Sequence, residues 1–129
     1  MAARASKAPS QKKKAILRTE ERDPVIGVTA TRLAALFDEE GFGTFAVLES
    51  GAGHFIQTAC EWEASAVTSA FLRKHKADPW VVEYRDNASA PIFRVKKHLT
   101  LAQVKVAFLS WLAGDDAWRT AHRWKVLEL

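Results

Sequence analysis

The clearest pattern of apolar and polar positions lies late in the chain, over residues 101–113. Apolar residues recur there at helical spacing, in two adjoining stripes that cover a wide arc of a helix. Thr100 stands in front of the stripes as an N-cap, Gln103 completes a capping box, and Gly114 provides a stop. The pattern predicts a helix over 101–113 that lies across a sheet or beneath a partner.

Two earlier segments also show helical spacing. An apolar stripe follows the N-cap candidate Thr29 and predicts a helix over residues 30–40. A further stripe, ended by Asp78 and Pro79, predicts a helix over residues 64–76. The chain is therefore expected to contain three helices of ordinary length.

Alternating apolar and polar positions predict strands that come in adjacent pairs. The expected strands are residues 45–49 and 54–60, then 80–85 and 92–96, and a last one within 123–129. The segment 54–60 is partly apolar on both faces, which is typical of a central strand. The order α-β-β-α-β-β-α-β predicts an α+β fold of two layers, with helices packed on one face of an antiparallel sheet built from two hairpins.

Charge divides the chain into two parts. Residues 1–23 carry seven basic and three acidic residues, whereas the remaining chain carries 12 of each, so the formal net charge of +4 resides at the start. Few large apolar residues occur there, and such a segment buries too little surface to offset its ordering entropy. We therefore expect a disordered basic tail over 1–24 and a single domain over 25–129. The sequence pI of about 9.4 is then not expected to reflect a basic surface on the folded domain.

The basic residues of the predicted tail are candidates for contacts with nucleic acid. They include the run Lys12, Lys13 and Lys14, followed by Arg18. Lysine and arginine attract phosphates, but the run has no interleaved aromatic residues on which bases would stack. The composition is therefore compatible both with a solubilising tail and with a weak nucleic-acid contact.

The common catalytic and metal-binding patterns are absent from the sequence. It contains no glycine-rich phosphate loop, no zinc-ligand spacing and no nucleophile elbow. We expect no enzymatic activity, no cofactor and no metal ion. A pocket that joined His54 or His98 to Glu83 would reopen the question of an enzyme.

Cysteine content and hydropathy bear on the location of the protein. The single Cys60 lies in a predicted strand and is interpreted as a small buried residue rather than a nucleophile. No apolar run approaches the roughly 20 residues of a membrane span, and the first residues lack the apolar segment of a secretory signal. We therefore expect a cytoplasmic protein without membrane contact.

Five tryptophans occur in the chain, and two of them lie in a charged C-terminal segment. These are Trp118 and Trp124, which have Arg119 and Arg123 as neighbours. Such tryptophans either cap a core or form a protein-binding patch. All four residues are candidates for a protein interface.

The strand and helix patterns, taken together, resemble those of a known group of proteins. The segments concerned are Phe45–Glu49, His54–Thr58, Trp80–Arg85 and Phe108–Asp115, followed by Trp118 and Trp124. In these segments the chain resembles small bacterial proteins, some of which are grouped with the immunity proteins of polymorphic toxin systems. The resemblance implies a non-enzymatic protein that binds another protein, and it carries over no active-site residues.

From these observations we predict a non-catalytic protein-interaction module of a toxin-neutralising or chaperone-like kind. The alternative is a nucleic-acid-associated protein that binds through its basic tail. The wide apolar arc of the last helix is compatible with a monomer or a homodimer.

Overall fold

The computed structural model describes residues 15–20, 22–39, 43–51, 53–61 and 78–127. Within these ranges the chain forms seven strands and three helices. The strands are β1 (Ile16–Thr19), β2 (Val25–Ile26), β3 (Phe45–Glu49), β4 (Phe55–Cys60), β5 (Trp80–Arg85), β6 (Phe93–Val95) and β7 (Trp124–Val126). The helices are α1 (Ala30–Glu39), α2 (Leu101–Ala113) and α3 (Ala117–Thr120).

The seven strands form one antiparallel sheet in the order β2-β1-β3-β4-β5-β6-β7. β4 lies at its centre, as the apolar positions on both faces of this strand predicted. The α+β class is confirmed, but the sheet dominates the fold and the predicted element order is wrong, because two strands precede α1. The helix expected over 64–76 lies outside the described residues.

The predicted tail is wrong in its last third. β1 is an internal strand of the sheet, between β2 and β3, and Leu17 lies opposite Leu48 with a relative exposure of 2%. Ala15 is also buried. The folded part of the chain therefore includes residues that the domain boundary at 25 excluded. Residues 1–14 lie outside the described ranges.

The core lies between one face of the sheet and the two longer helices. Leu48, Ile56 and Val82 project from adjacent strands, and all three have a relative exposure of 0%. Leu33 of α1 and Phe108 of α2 belong to the same cluster of buried residues and are equally inaccessible. Full burial of a side chain of this size contributes about 1.5–3 kcal/mol, so the packing of α1 and α2 on this face supplies much of the stability.

The start and end of α2 follow the sequence prediction. Thr100 Oγ1 accepts a hydrogen bond from the backbone N–H of Gln103 at 3.0 Å, and Gln103 Oε1 accepts one from the N–H of Thr100 at 2.9 Å. Gly114 adopts φ 86° and donates its N–H to the carbonyls of Ser110 and Trp111. The capping box fixes the first turn of α2 against the loop that follows β6.

Replacing Thr100 with Ala is expected to lower the free energy of unfolding by about 1 kcal/mol, because the N–H of Gln103 loses its acceptor. Urea denaturation followed by circular dichroism measures this loss. Thr100→Ser keeps the hydroxyl and serves as the matched control, with stability close to that of the wild type. Equal stability of the Ala and Ser variants would contradict the capping role.

The two apolar stripes of α2 have different environments. Val104, Phe108 and Trp111 are buried, whereas Ala102 and Val106 of the adjoining stripe are exposed, Val106 to 64%. The expectation that the helix lies across the sheet holds for the first stripe. A homodimer that covers the second stripe stays a prediction.

None of the helices in the described part of the chain is long and apolar enough to cross a bilayer.

Candidate functional site

The two tryptophans that were candidates for an interface belong to an aromatic–arginine cluster, which consists of Tyr84, Phe93, Trp118, Arg119 and Trp124. The Trp118 ring has its centroid 4.7 Å from that of Tyr84 and 5.9 Å from that of Trp124, both edge-on. Its relative exposure is only 4%. Trp118 is therefore a core residue, as in the core-capping alternative for this tryptophan.

A short chain of hydrogen bonds links Asp115 to the backbone of Trp118 through the hydroxyl of Ser110. Asp115 accepts hydrogen bonds from the hydroxyl of Ser110 and from the N–H of Ala117, and the hydroxyl of Ser110 accepts one from the N–H of Trp118 at 3.2 Å. These bonds lower the pKa of the Asp115 carboxyl, the one from Ser110 having the largest effect. Asp115 therefore holds the backbone at the start of α3 and, through Ser110, is linked to the backbone N–H of Trp118.

Arg119 closes the aromatic–arginine cluster from the solvent side. Its guanidinium lies 4.8 Å from the ring centroid of Trp118 and 5.0 Å from that of Tyr84, and it forms an ion pair with Asp86 at 3.0 Å. Its carbonyl accepts a hydrogen bond from Nε1 of Trp124 at 2.8 Å. Arg119 therefore stabilises the aromatic–arginine cluster through these contacts, and Trp124 is half-buried beside it.

Arg123, the fourth interface candidate, lies beside this cluster on the wall of an open cavity of about 610 Å³. The cavity lies between the loop from β6 to α2 and the loop from α3 to β7. Six of its lining residues are charged or can become charged: Asp78, Lys96, Lys97, His98, His122 and Arg123. We call it the basic cavity, since basic side chains and imidazoles make up all but one of these six.

Pairing of the last two strands brings the basic residues together. β6 and β7 are antiparallel neighbours, and beyond the end of β6 the N–H of Lys96 donates to the carbonyl of Arg123 at 2.9 Å. Residues 96–98 and 121–123 are thus held on two facing loops. Thr100 and Gln103 complete the wall, so the capped first turn of α2 borders the cavity.

The positive charges of the basic cavity are poorly compensated. Lys96, Lys97 and Arg123 are exposed, and none of them forms an ion pair within the part of the chain that the structure describes. Among the described residues, Asp78 is the one carboxylate that lines the cavity. The expectation that the folded domain has no basic surface is therefore wrong locally, although charges balance over residues 24–129.

A network of charged side chains on the opposite face of the sheet approaches the cavity through His98. Its Nε2 lies 2.9 Å from Glu61 Oε1, and the other oxygen of Glu61 accepts a hydrogen bond from Arg94 at 2.7 Å. Partial burial raises the pKa of Glu61, but the bonds and charges of His98 and Arg94 outweigh it and hold this pKa below its usual range. Arg94 also pairs with Glu83 at 3.6 Å, and Glu83 accepts a bond from Gln57.

This network connects His98 with Glu83, but the two side chains line different cavities. Glu61 and Glu83 line a separate cavity of about 230 Å³, while His98 lines the basic cavity. His54 lies elsewhere, where its Nδ1 is 2.6 Å from the hydroxyl of Ser50 and its ring is 4.6 Å from that of Trp111. These residues therefore do not form the single pocket, joining His54 or His98 to Glu83, that would have reopened the question of an enzyme.

The nucleic-acid candidates are divided by the structure. Arg18 lies on β1 and forms an ion pair with Glu49 at 2.6 Å, so it belongs to the sheet rather than to a tail. Lys12, Lys13 and Lys14 lie outside the described residues.

Cys60 is half-buried at the end of β4, less enclosed than predicted. Within the described ranges, no group of three or more His, Cys, Asp or Glu side chains could hold a metal ion.

The basic cavity was not predicted from the sequence, because its residues come from two loops whose composition is ordinary when each is taken by itself. The pairs Lys96-Lys97 and His122-Arg123 stand 26 positions apart in the chain. The sequence did contain a signal for this cavity. The predicted strand over 92–96 ends at the first basic pair, and the last predicted strand, within 123–129, begins at the second. Pairing those strands with each other would have placed the two basic pairs side by side.

The comparisons with known proteins give no relative. No protein-family model matches the chain, and neither does any curated protein or any solved structure. The resemblance to immunity proteins of toxin systems therefore stays a prediction.

Proposed function

We propose that the protein is a non-catalytic interaction module that recognises an acidic segment of another protein through the basic cavity. The observation that carries this proposal is that three exposed cations, with no ion-pair partner among the described residues, line one open cavity. The proposal takes the fold as two layers, with α1 and α2 on one face of the sheet. It places the protein in the cytoplasm, in keeping with its single cysteine.

The charge of the cavity determines the kind of partner. In the part of the chain that the structure describes, Lys96, Lys97 and Arg123 face a single carboxylate, Asp78, so these residues make the potential in the cavity positive. A partner with clustered Asp and Glu side chains would gain charge-assisted hydrogen bonds there. A guanidinium such as that of Arg123 can bind a carboxylate with two parallel bonds, which adds geometric specificity.

Contacts of neighbouring residues hold Arg123 and Lys96 in place on the wall of the basic cavity. Arg123 lies directly before Trp124, whose ring packs edge-on against Tyr84 at 4.9 Å and whose Nε1 is bonded to the carbonyl of Arg119. The N–H of Lys96 is bonded to the carbonyl of Arg123. A preorganised surface loses less conformational entropy when it binds, so this packing supports recognition without contacting the partner. The four interface candidates thus divide into Arg123, which faces the partner, and three residues that position it.

A toxin-neutralising and a chaperone-like protein would both use such a surface. The first would cover a folded acidic patch, and the second would hold an acidic segment that is not yet folded. Because electrostatic complementarity acts chiefly on the rate of association, either role gains from fast capture of the partner. Both roles require the same cations, so one experiment tests the surface they share.

The test is binding of a fluorescently labelled poly-glutamate peptide to the full-length chain, measured by anisotropy. Arg123→Glu is expected to weaken binding by at least about tenfold, since it replaces an attraction by a repulsion. Arg32→Glu changes the net charge by the same amount at an exposed position of α1 that does not line the cavity, and it is the matched control. It is expected to leave the affinity within about twofold of the wild type.

Equal losses in the Arg123 and Arg32 variants would contradict the proposal, because they would show a response to net charge alone. A single-stranded DNA oligonucleotide tests the alternative function in the same assay. Binding of DNA that disappears on deletion of residues 1–14, and that Arg123→Glu leaves unchanged, would move the function to the basic tail. In that case the cavity would not be the recognition site.

A further inference from the structure

We propose that the basic cavity contains a seat for a single oxyanion, a carboxylate or phosphate group, and that binding is accompanied by proton uptake at His122. The inference rests on the proposed function, because it names the chemical group of the partner that enters the cavity. Three features of the lining support it, namely the unpaired cations, the first turn of α2 and the two imidazoles.

The cations supply the attraction and part of the geometry. Arg123 and Lys96 are joined through the backbone bond between their loops, so their side chains start from fixed and adjacent positions. Lys97 follows on the same loop and also lines the cavity. A planar guanidinium and two ammonium groups around one space are suited to an anion with two or three oxygens.

The first turn of α2 borders the same space. α2 has 13 residues, and the amides of its first turn have no acceptor within the helix. The capping box satisfies the amides of Thr100 and Gln103, but the positive end of the helix dipole remains at the cavity wall. This end of the helix reinforces the field of the cations and, by itself, would be too weak to hold an anion.

The two imidazoles differ in their partners. His98 is bonded to Glu61, whereas His122 has no carboxylate partner among the described residues and lies edge-on to Trp124 at 6.2 Å. Burial lowers the pKa of His122, which favours the neutral form of its ring. The other charged or titratable groups that face the cavity are Asp78, Lys96, Lys97, Arg123 and His98 with its partner Glu61.

These surroundings make His122 responsive to an anion. Burial disfavours its protonated form in the free protein, and an oxyanion held close to the ring favours that form through charge attraction. Binding therefore raises the pKa of His122, and by linkage the affinity for the anion rises as the pH falls.

The experiment is a sulfate titration of the full-length chain, followed through amide and imidazole resonances by NMR at about pH 6 and about pH 8. Sulfate keeps its charge over this range, so any pH dependence belongs to the protein. We expect saturable shifts in the loops at residues 96–98 and 121–123, with tighter binding at the lower pH. The imidazole of His122 is expected to titrate at a higher pH when sulfate is present.

Variants distinguish binding at a specific oxyanion site from a general attraction by the net charge of the protein. Arg123→Gln is expected to weaken sulfate binding by about tenfold, and Arg32→Gln, the matched control, to leave it unchanged. His122→Asn is expected to keep binding at about pH 8 and to lose the gain at about pH 6. Acetate replaces sulfate in a second series, and a preference for acetate or for sulfate identifies the group as a carboxylate or a phosphate.

Shifts that do not saturate, or equal effects of the Arg123 and Arg32 variants, would overturn the seat. Unchanged titration of His122 with saturating sulfate would overturn its proton uptake. The failure of this inference is distinct from that of the proposed function. Poly-glutamate binding that depends on Arg123, in a protein that does not bind sulfate or acetate, would leave the function in place and remove only the single-oxyanion seat.

Discussion

Trp118→Ala is expected to lower the free energy of unfolding by about 3–5 kcal/mol, the loss typical of a large aromatic side chain removed from a core. The side chain is almost fully buried and contacts the rings of Tyr84 and Trp124. Its removal leaves a void beneath the guanidinium of Arg119, which now lies over the Trp118 ring. A loss of this size is a large fraction of the stability of a small domain.

Urea denaturation followed by far-ultraviolet circular dichroism measures the effect without relying on tryptophan fluorescence. Lys125→Ala, at an exposed position of β7 close to the same corner, is the control and should change the stability by less than about 0.5 kcal/mol. A loss below about 1 kcal/mol in the Trp118 variant would contradict its place in the core. If the loss is as large as expected, weaker partner binding by this variant reports unfolding rather than a lost contact.

Gly53→Ala is expected to be the second strongest perturbation, with a loss of about 3 kcal/mol. Gly53 adopts φ 75° in the loop between β3 and β4, a conformation that costs a residue with a Cβ about 1–2 kcal/mol. An added Cβ would also lie 2.7 Å from the Cα and N atoms of Ala88, in the loop between β5 and β6. Because those are backbone atoms, one of the two loops has to move.

Gly51→Ala provides the matched control within the same loop. Gly51 also adopts a left-handed conformation, with φ 88°, but an added Cβ would meet nothing within 4 Å. Its loss is expected to be limited to the conformational cost of about 1–2 kcal/mol. Thermal or urea denaturation compares the two variants directly. Equal losses would show that the close approach of the two loops does not contribute.

The elements that the sequence predicted are those whose signals are local. The capping box of Thr100 and Gln103 and the stop at Gly114 require only neighbouring residues, and α2 has the predicted bounds. The strands β3 and β5 also have the predicted bounds, because their alternation is long enough to be read within one segment. Local signals therefore located most of the elements that the structure describes.

The elements that the sequence did not predict depend on distant partners. Ile16 and Leu17 stand among basic and polar residues, so composition indicated a tail, yet Leu17 is buried because it pairs with Leu48 across the sheet. Trp118 follows two aspartates and suggested a surface. Its ring is enclosed by Tyr84, Trp124 and Arg119, and no local pattern shows the contact with the distant Tyr84.

The candidate site illustrates the same limit. Arg123 was identified as a candidate for binding, but as part of a tryptophan patch rather than of a cavity. Its neighbours Lys96 and Lys97 gained meaning only through the pairing of β6 with β7. The basic cavity is thus a product of the sheet order, which the sequence did not reveal.

The most direct test of this account is to locate the bound acidic peptide by amide chemical-shift mapping of the isotope-labelled full-length chain. The account predicts that poly-glutamate shifts the amides of residues 96–100 and 121–123, and that Arg123→Glu suppresses these shifts. Shifts that instead gather on the exposed stripe of α2 around Val106, or at the sheet edge around Ile26, would contradict it. Either outcome would place recognition on an apolar surface rather than in the basic cavity.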